Sequence, residues 1–282
     1  MTDLTRRALS LPAALGATTV GLLLALTGGV RVANQHARYD PIPSLGDIAL
    51  LVVGLLLIVA AGASIALSRL GVVVTGGLLL LIGLVVMFAP LSPAGASTLM
   101  RAIFALARDP LGPGNGLLMT ASMGMVTTLG ALFVTLGFMT PSRRSAPGRS
   151  TLPCAAAGLL TVVCVWLVCH TGNAFYRERL VTMGGEGLSG LIVLAAVVAL
   201  CASLIPHRWS AAGGFVAGAI VALCGFLLIA APAAQLGPLS ARIFQSIGMT
   251  GSLGIPLVIA AALIGCSLGS VLGSRRAPQH FG

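Results

Sequence analysis

Residues Ile48 to Leu67 read IALLVVGLLLIVAAGASIAL, twenty positions without one charged side chain. Asp47 stands directly before them and Arg69 follows shortly after. A helix rises about 1.5 Å per residue, so a run of this length crosses the roughly 30 Å hydrocarbon core of a bilayer. It is long enough to span, and it is bounded by charge where a span must end.

Seven more runs of this kind flank it. Together the eight cover approximately Ser10 to Val30, Ile48 to Leu67, Gly71 to Ala89, Leu117 to Met139, Leu152 to Cys169, Leu188 to Ile205, Ala211 to Ala231 and Ser252 to Leu272. All 22 charged side chains and all four His are expected outside them. The whole-chain figures agree: 57% of the 282 residues are hydrophobic, 8% are charged, and the mean hydropathy is +1.05. A soluble domain carries about a quarter charged residues. Disorder is excluded because disordered chains are poor in apolar residues. The expected fold class is an all-α, polytopic transmembrane bundle of eight spans.

The net charge of +10 comes from 16 Arg against six carboxylates, with no Lys anywhere. In a soluble protein that excess would suggest nucleic acid, but beside membrane spans it reads as a topology signal, so no nucleic-acid partner is expected. The absence of Lys excludes Walker A and Schiff-base chemistry and fits the coding bias of a GC-rich bacterium. With the N-terminus cytoplasmic, nine Arg fall inside and seven outside, and the inner loops are the shorter and denser. Trp209 at one boundary and Trp166, Tyr176 and Tyr39 at the other read as interfacial anchors. The expected location is the bacterial plasma membrane, multi-pass, with both termini cytoplasmic and the first run an uncleaved anchor.

One constant, ungapped offset superposes Asn34 on Asn173, Arg38 on Arg177, Gly46 on Gly185, Asp47 on Glu186, Ser64 on Ser203 and Arg69 on Arg208. Farther on the register drifts: Pro90 meets Pro232, Ile103 and Phe104 meet Ile243 and Phe244, and Arg143 and Arg144 meet Arg275 and Arg276. Matches among rare polar residues are informative where any two spans share Leu and Val. They predict two homologous four-helix units, 1–145 and 146–282, joined by the linker around Pro141 to Ser150. An even number of spans per unit makes the repeats parallel, related by an axis along the membrane normal. Each unit also carries a short amphipathic segment on the outer side: Ser97 to Arg108, with Leu99, Met100, Ile103 and Phe104 on one face, and Leu239 to Ile247.

The repeated outer polar set, Asn34, Arg38 and Asp47 with Asn173, Arg177 and Glu186, admits two readings. Each carboxylate begins a span, where it can cap open amides or pair with the nearby Arg. The same clusters can bind a ligand or dock a partner, since loop polar groups on rigid scaffolds carry function. Gly265, Gly269 and Gly273, and Gly214 with Gly218, leave bare helix faces at GxxxG spacing. Such faces pack within the bundle, or join a homo-oligomer or another membrane subunit.

Catalytic signals are sparse. Gly265 to Gly269 spells G-x-S-x-G, but mid-span, where the strand and strained turn of a hydrolase elbow are absent. Gly187 to Gly190 spells the G-x-S-G that rhomboid intramembrane proteases use around their nucleophile, a weak resemblance that implies Ser189 with His170 as base and Glu186 nearby. The six Cys all lie in or at the ends of second-unit spans and have no disulfide spacing. His36, His207 and His280 stand alone, so neither a metal nor a cofactor is expected. Three functions follow as expectations. The first is a non-enzymatic scaffold or accessory subunit of a cell-envelope assembly. The second is a transporter or channel of two parallel repeats, not ion-coupled through intramembrane charge. The last and remotest is a membrane serine hydrolase.

Overall fold

The computed structural model describes residues 3–37, 44–88, 105, 109, 112–139, 151–182, 187–230, 246–247 and 250–275. These residues are mainly helical, with no strand among them. In chain order the helices are α1 (Asp3–Ala37), α2 (Leu45–Ala63), α3 (Arg69–Phe88), α4 (Pro113–Ser122), α5 (Met125–Phe138), α6 (Thr151–Thr182), α7 (Gly187–Ser203), α8 (Ala212–Ala230) and α9 (Ile255–Arg275). Seven of them, all but α4 and α5, are long and apolar enough to cross a membrane. The chain is a multi-pass membrane bundle.

Two of the expected spans need correction, and a third extends. The fourth run, Leu117 to Met139, is not one helix: it breaks at Met123 and Gly124, and α4 meets α5 at 77°. α5 has 14 residues, about 21 Å, which is too short to span alone. The eighth run is broken at its start, and α9 begins only after Gly254. The fifth run, the one open to extension past His170, does run on: its helix α6 has 32 residues, about 48 Å, and continues to Thr182. His170, Arg177, Glu178 and Arg179 are therefore helical and not in a loop, and Arg179 is only 1% exposed. The linker 141–150 and nearly all of 97–108 and 239–247 lie outside the described residues.

Backbones approach closely where side chains are missing. A Cβ on Gly54 of α2 would lie 2.6 Å from the Gly21 carbonyl of α1. On Gly76 of α3 it would lie 2.8 Å from the Gly130 carbonyl of α5, and on Gly158 of α6 it would lie 2.6 Å from the Gly213 carbonyl of α8. α9 is the most enclosed of the seven spans. On one side it meets α2, where a Cβ on Gly62 would come 2.7 Å from the Cys266 amide and one on Gly269 2.8 Å from the Ala63 carbonyl. On another it meets α8, where Gly218 faces Ile264 and Ala260. Lipid tails are as apolar as Leu, so helices associate there by close packing, and small residues permit it.

Gly265 tests this packing, because its Cβ would lie 2.8 Å from the Val59 Cα with the Val59 carbonyl nearer still. Gly265→Ala should lower stability by about 1–3 kcal/mol. Gly77, with nothing within 4 Å of its Cβ position, should accept Ala with no loss. Thermal unfolding of the purified full chain in mild detergent measures both.

Candidate functional site

One set of described polar groups gathers at the end of the bundle where α2 begins, and another, with Thr161, Ser203, His207 and Ser267, is buried toward the opposite end. Ser44 is the N-cap of α2, and its hydroxyl oxygen accepts from the Asp47 amide at 3.2 Å. Asp47 then collects donors. The Ser44 hydroxyl donates to Oδ2 at 2.6 Å, Gln35 Nε2 donates to the same oxygen at 2.8 Å, and Arg31 lies 3.5 Å from Oδ1. Gln35 Oε1 accepts from the Ser44 amide at 3.0 Å, which ties the end of α1 to the start of α2. The carboxylate also sits in the first turn, where the helix dipole favours negative charge. Among the described residues its ion-pair partner is Arg31; Arg38 lies outside them. Asn34 is half-buried on α1.

The cluster around His170 is built differently. His170 Nδ1 lies 3.0 Å from the Ser246 carbonyl, which can only accept, so Nδ1 carries the proton. The ring stacks on Trp166 with centroids 5.3 Å apart. Asn173 Nδ2 donates to the same carbonyl at 3.3 Å, and Thr250 Oγ1 donates to the Cys169 carbonyl at 3.3 Å. Asn173 Oδ1 is buried without a partner among the described residues. Arg177 is exposed, and Glu186 lies outside the described residues.

Of the Ser189, His170 and Glu186 set, Glu186 lies outside the described residues, and Ser189 stands apart from His170 along the helices. Ser203 Oγ bonds Thr161 Oγ1, and on antiparallel helices this register puts Ser189 level with about residue 175, at least a turn or ~7 Å beyond His170. His170 is already committed to Ser246 and Trp166. The five motif glycines are also spent within the chain. Gly265 and Gly269 face Val59 and Ala63, Gly273 faces Ala66, Gly218 faces Ile264, and Gly214 faces Ser267 and His207. All six Cys are free thiols, and no group of three or more metal-ligating side chains occurs among the described residues.

Two features are not legible from hydropathy. The first is Arg179, whose Nη1 donates to the Met87 carbonyl at 2.8 Å and the Val86 carbonyl at 3.5 Å. Its guanidinium lies 5.3 Å over the Phe175 ring. A cation thus caps the open carbonyls at the end of α3 from another helix, at the negative pole of the dipole. No hydropathy signal separates it from the exposed Arg177 nearby.

The second feature is a pair of elbows. Gly124 and Gly254 have φ of 77° and 74°, a region that penalises any side chain. They close two similar stretches, MTASMG (119–124) and MTGSLG (249–254), and that likeness is the one signal the sequence offers. Each elbow is braced from the opposite half of the chain. Gly29 of α1 lies on the Leu253 carbonyl, and Gly172 of α6 lies 2.5 Å, measured from its Cβ position, from the Met123 carbonyl.

No protein-family model, no curated protein and no solved structure matches this chain. Function must therefore be argued from the geometry. Replacing Arg179 by Met leaves the last carbonyls of α3 buried without their donor and should cost about 1.5–3 kcal/mol. Arg177→Met, on the exposed side of the same helix, should stay within about 0.5 kcal/mol. Thermal unfolding of both variants decides it.

Proposed function

We propose that the chain is a non-enzymatic scaffold or accessory subunit of a bacterial cell-envelope assembly. It is built as two parallel four-helix repeats in the plasma membrane, with both termini cytoplasmic and α4 with α5 forming an eighth, bent crossing. The observation that carries this reading is the close packing of α9, which meets α2 and α8 through glycines and leaves no side-chain bulk between their backbones.

Repeated contacts support the duplication. Gly76 and Gly83 of α3 meet Gly130 and Thr127 of α5, and their counterparts on α8, Gly218 and Gly225, meet Ala260 and Leu257 of α9. Gly130 and Thr127 stand at the same distance after Gly124 as Ala260 and Leu257 after Gly254. Ser64 and Ser203 each donate to the carbonyl three positions earlier, where an α-helix passes into a 3-10 turn. For α1 and α6 the elbow contacts favour pairing Gly29 with Gly172, a register different from the one that aligns Asn34 with Asn173. By the elbow register Asn34 stands one turn away from the position of Asn173.

A second reading has its own support. Interrupted helices at matching positions in two halves are where transporters place their substrate sites, and Gly124 and Gly254 are such a pair. Two measurements separate the readings. Purified from its native membrane in mild detergent, the scaffold should emerge with partner proteins. Recovery alone, with every envelope complex intact after deletion, defeats it. A water-soluble maleimide should leave the buried Cys164 and Cys266 unlabelled in native membranes, whereas labelling of either favours a wet pathway.

A further inference from the structure

Beneath α4 lies a crevice of about 360 Å³. α4 roofs it with Leu117, Leu118 and Ala121, and α3 and α5 wall it with Val86 and Val126. Among the described residues no polar side chain lines it, and Val86, Ala121 and Val126 form a small buried cluster apart from the main core. Its mouth is made by Leu81, Ile82 and Val85, all exposed on the flank of α3. These residues stand three to seven positions before the end of α3 at Phe88, so the mouth opens about 5–10 Å below that end; with the end of the span at the membrane boundary, that is hydrocarbon depth in the nearer leaflet.

We propose that this crevice binds one acyl chain of a phospholipid from the leaflet on the Asp47 side. An apolar cavity of about 150 Å³ holds the six carbons of benzene, so this one takes roughly a dozen carbons of a chain. The mouth faces hydrocarbon, which is the only medium at that depth able to fill it. Left empty, its lining would forfeit its dispersion contacts on one side. The other elbow provides the contrast. At the corresponding place Leu228 fills the crook itself, its two Cδ atoms 3.2 and 3.4 Å from the Cβ position of Gly251. Val86 and Ala121 occupy those two places in the first half, where the pairing does not fill the space. The expected stoichiometry is therefore one chain per protein, on this side only.

Cells fed a diazirine fatty acid incorporate it into phospholipid, and irradiation of native membranes containing the full protein captures whatever chain lies in the crevice. Adducts should be enriched about fivefold at Leu81, Val85, Leu117 and Ala121 over the lipid-facing Leu56 and Leu159, and should be phospholipid in mass. Ala121→Phe fills the crevice from its roof and should abolish the enrichment. Should that variant fail to fold, Val86→Leu, which copies the plug of the other elbow, should reduce the enrichment instead. Uniform labelling of all lipid-facing positions overturns the proposal. So does enrichment that survives whichever of the two variants folds, or adducts whose mass is free fatty acid or a segment of this chain.

Discussion

Close approach of backbones is the constraint on which this molecule rests. In hydrocarbon no solvent drives one apolar helix onto another, and what remains is packing and hydrogen bonding. The chain meets that requirement by removing side chains where helices touch. Gly54 lies on Gly21, Gly76 on Gly130, Gly158 on Gly213 and Gly62 on Cys266, and in each place an added methyl would overlap backbone. The lipid-facing surface carries Leu56, Leu81, Leu159 and Val198 in contrast, large residues where nothing has to come close.

Close packing also explains how two broken helices survive at membrane depth. Irregular backbone in lipid leaves amides and carbonyls unpaired, which is tolerated only where protein covers them. At the first elbow the Met123 amide bonds the Met119 carbonyl, the Gly124 amide bonds Ala121, and the Thr128 amide and hydroxyl both return to the Gly124 carbonyl. At the second, Gly254 bonds Gly251, Val258 bonds Gly254, and Thr250 reaches across to Cys169. The outward-facing carbonyls of Met123 and Leu253 are covered by Gly172 and Gly29. A larger residue at either position would hold the neighbouring helix off and expose those carbonyls.

The legibility of the fold follows from the same physics. α2, α3, α7 and α8 are plain in the sequence because each is an uninterrupted apolar run ending in polar residues. The break at Gly124 is not, since Gly within MTASMGMVTT is ordinary in a membrane helix and apolar residues continue on both sides. Only its counterpart in the second half, MTGSLG (249–254), marks it. α6 outruns its apolar stretch because hydropathy reports lipid contact, whereas His170, Asn173 and Arg179 are held by protein, against Ser246 and the end of α3. At the polar cluster, the capping role of Asp47 follows from its place before a span. Its described partner Arg31 does not, because Arg31 and Arg38 lie two turns apart in the sequence and hydropathy gives both the same claim on the carboxylate.

The reciprocal bracing also changes what the two halves mean. Read along the chain, 1–145 and 146–282 simply follow one another. In space α2 of the first packs along α9 of the second, Val193 of α7 reaches Gly124 in the first elbow, and Arg179 of the second half caps α3 of the first. Neither half encloses its own elbow. Separated, each would present to lipid a kinked backbone with uncovered carbonyls and, on α2 or α9, a glycine stripe without its partner. The halves therefore depend on each other for the burial of their backbone polar groups, and the contacts that join them are among the tightest in the molecule.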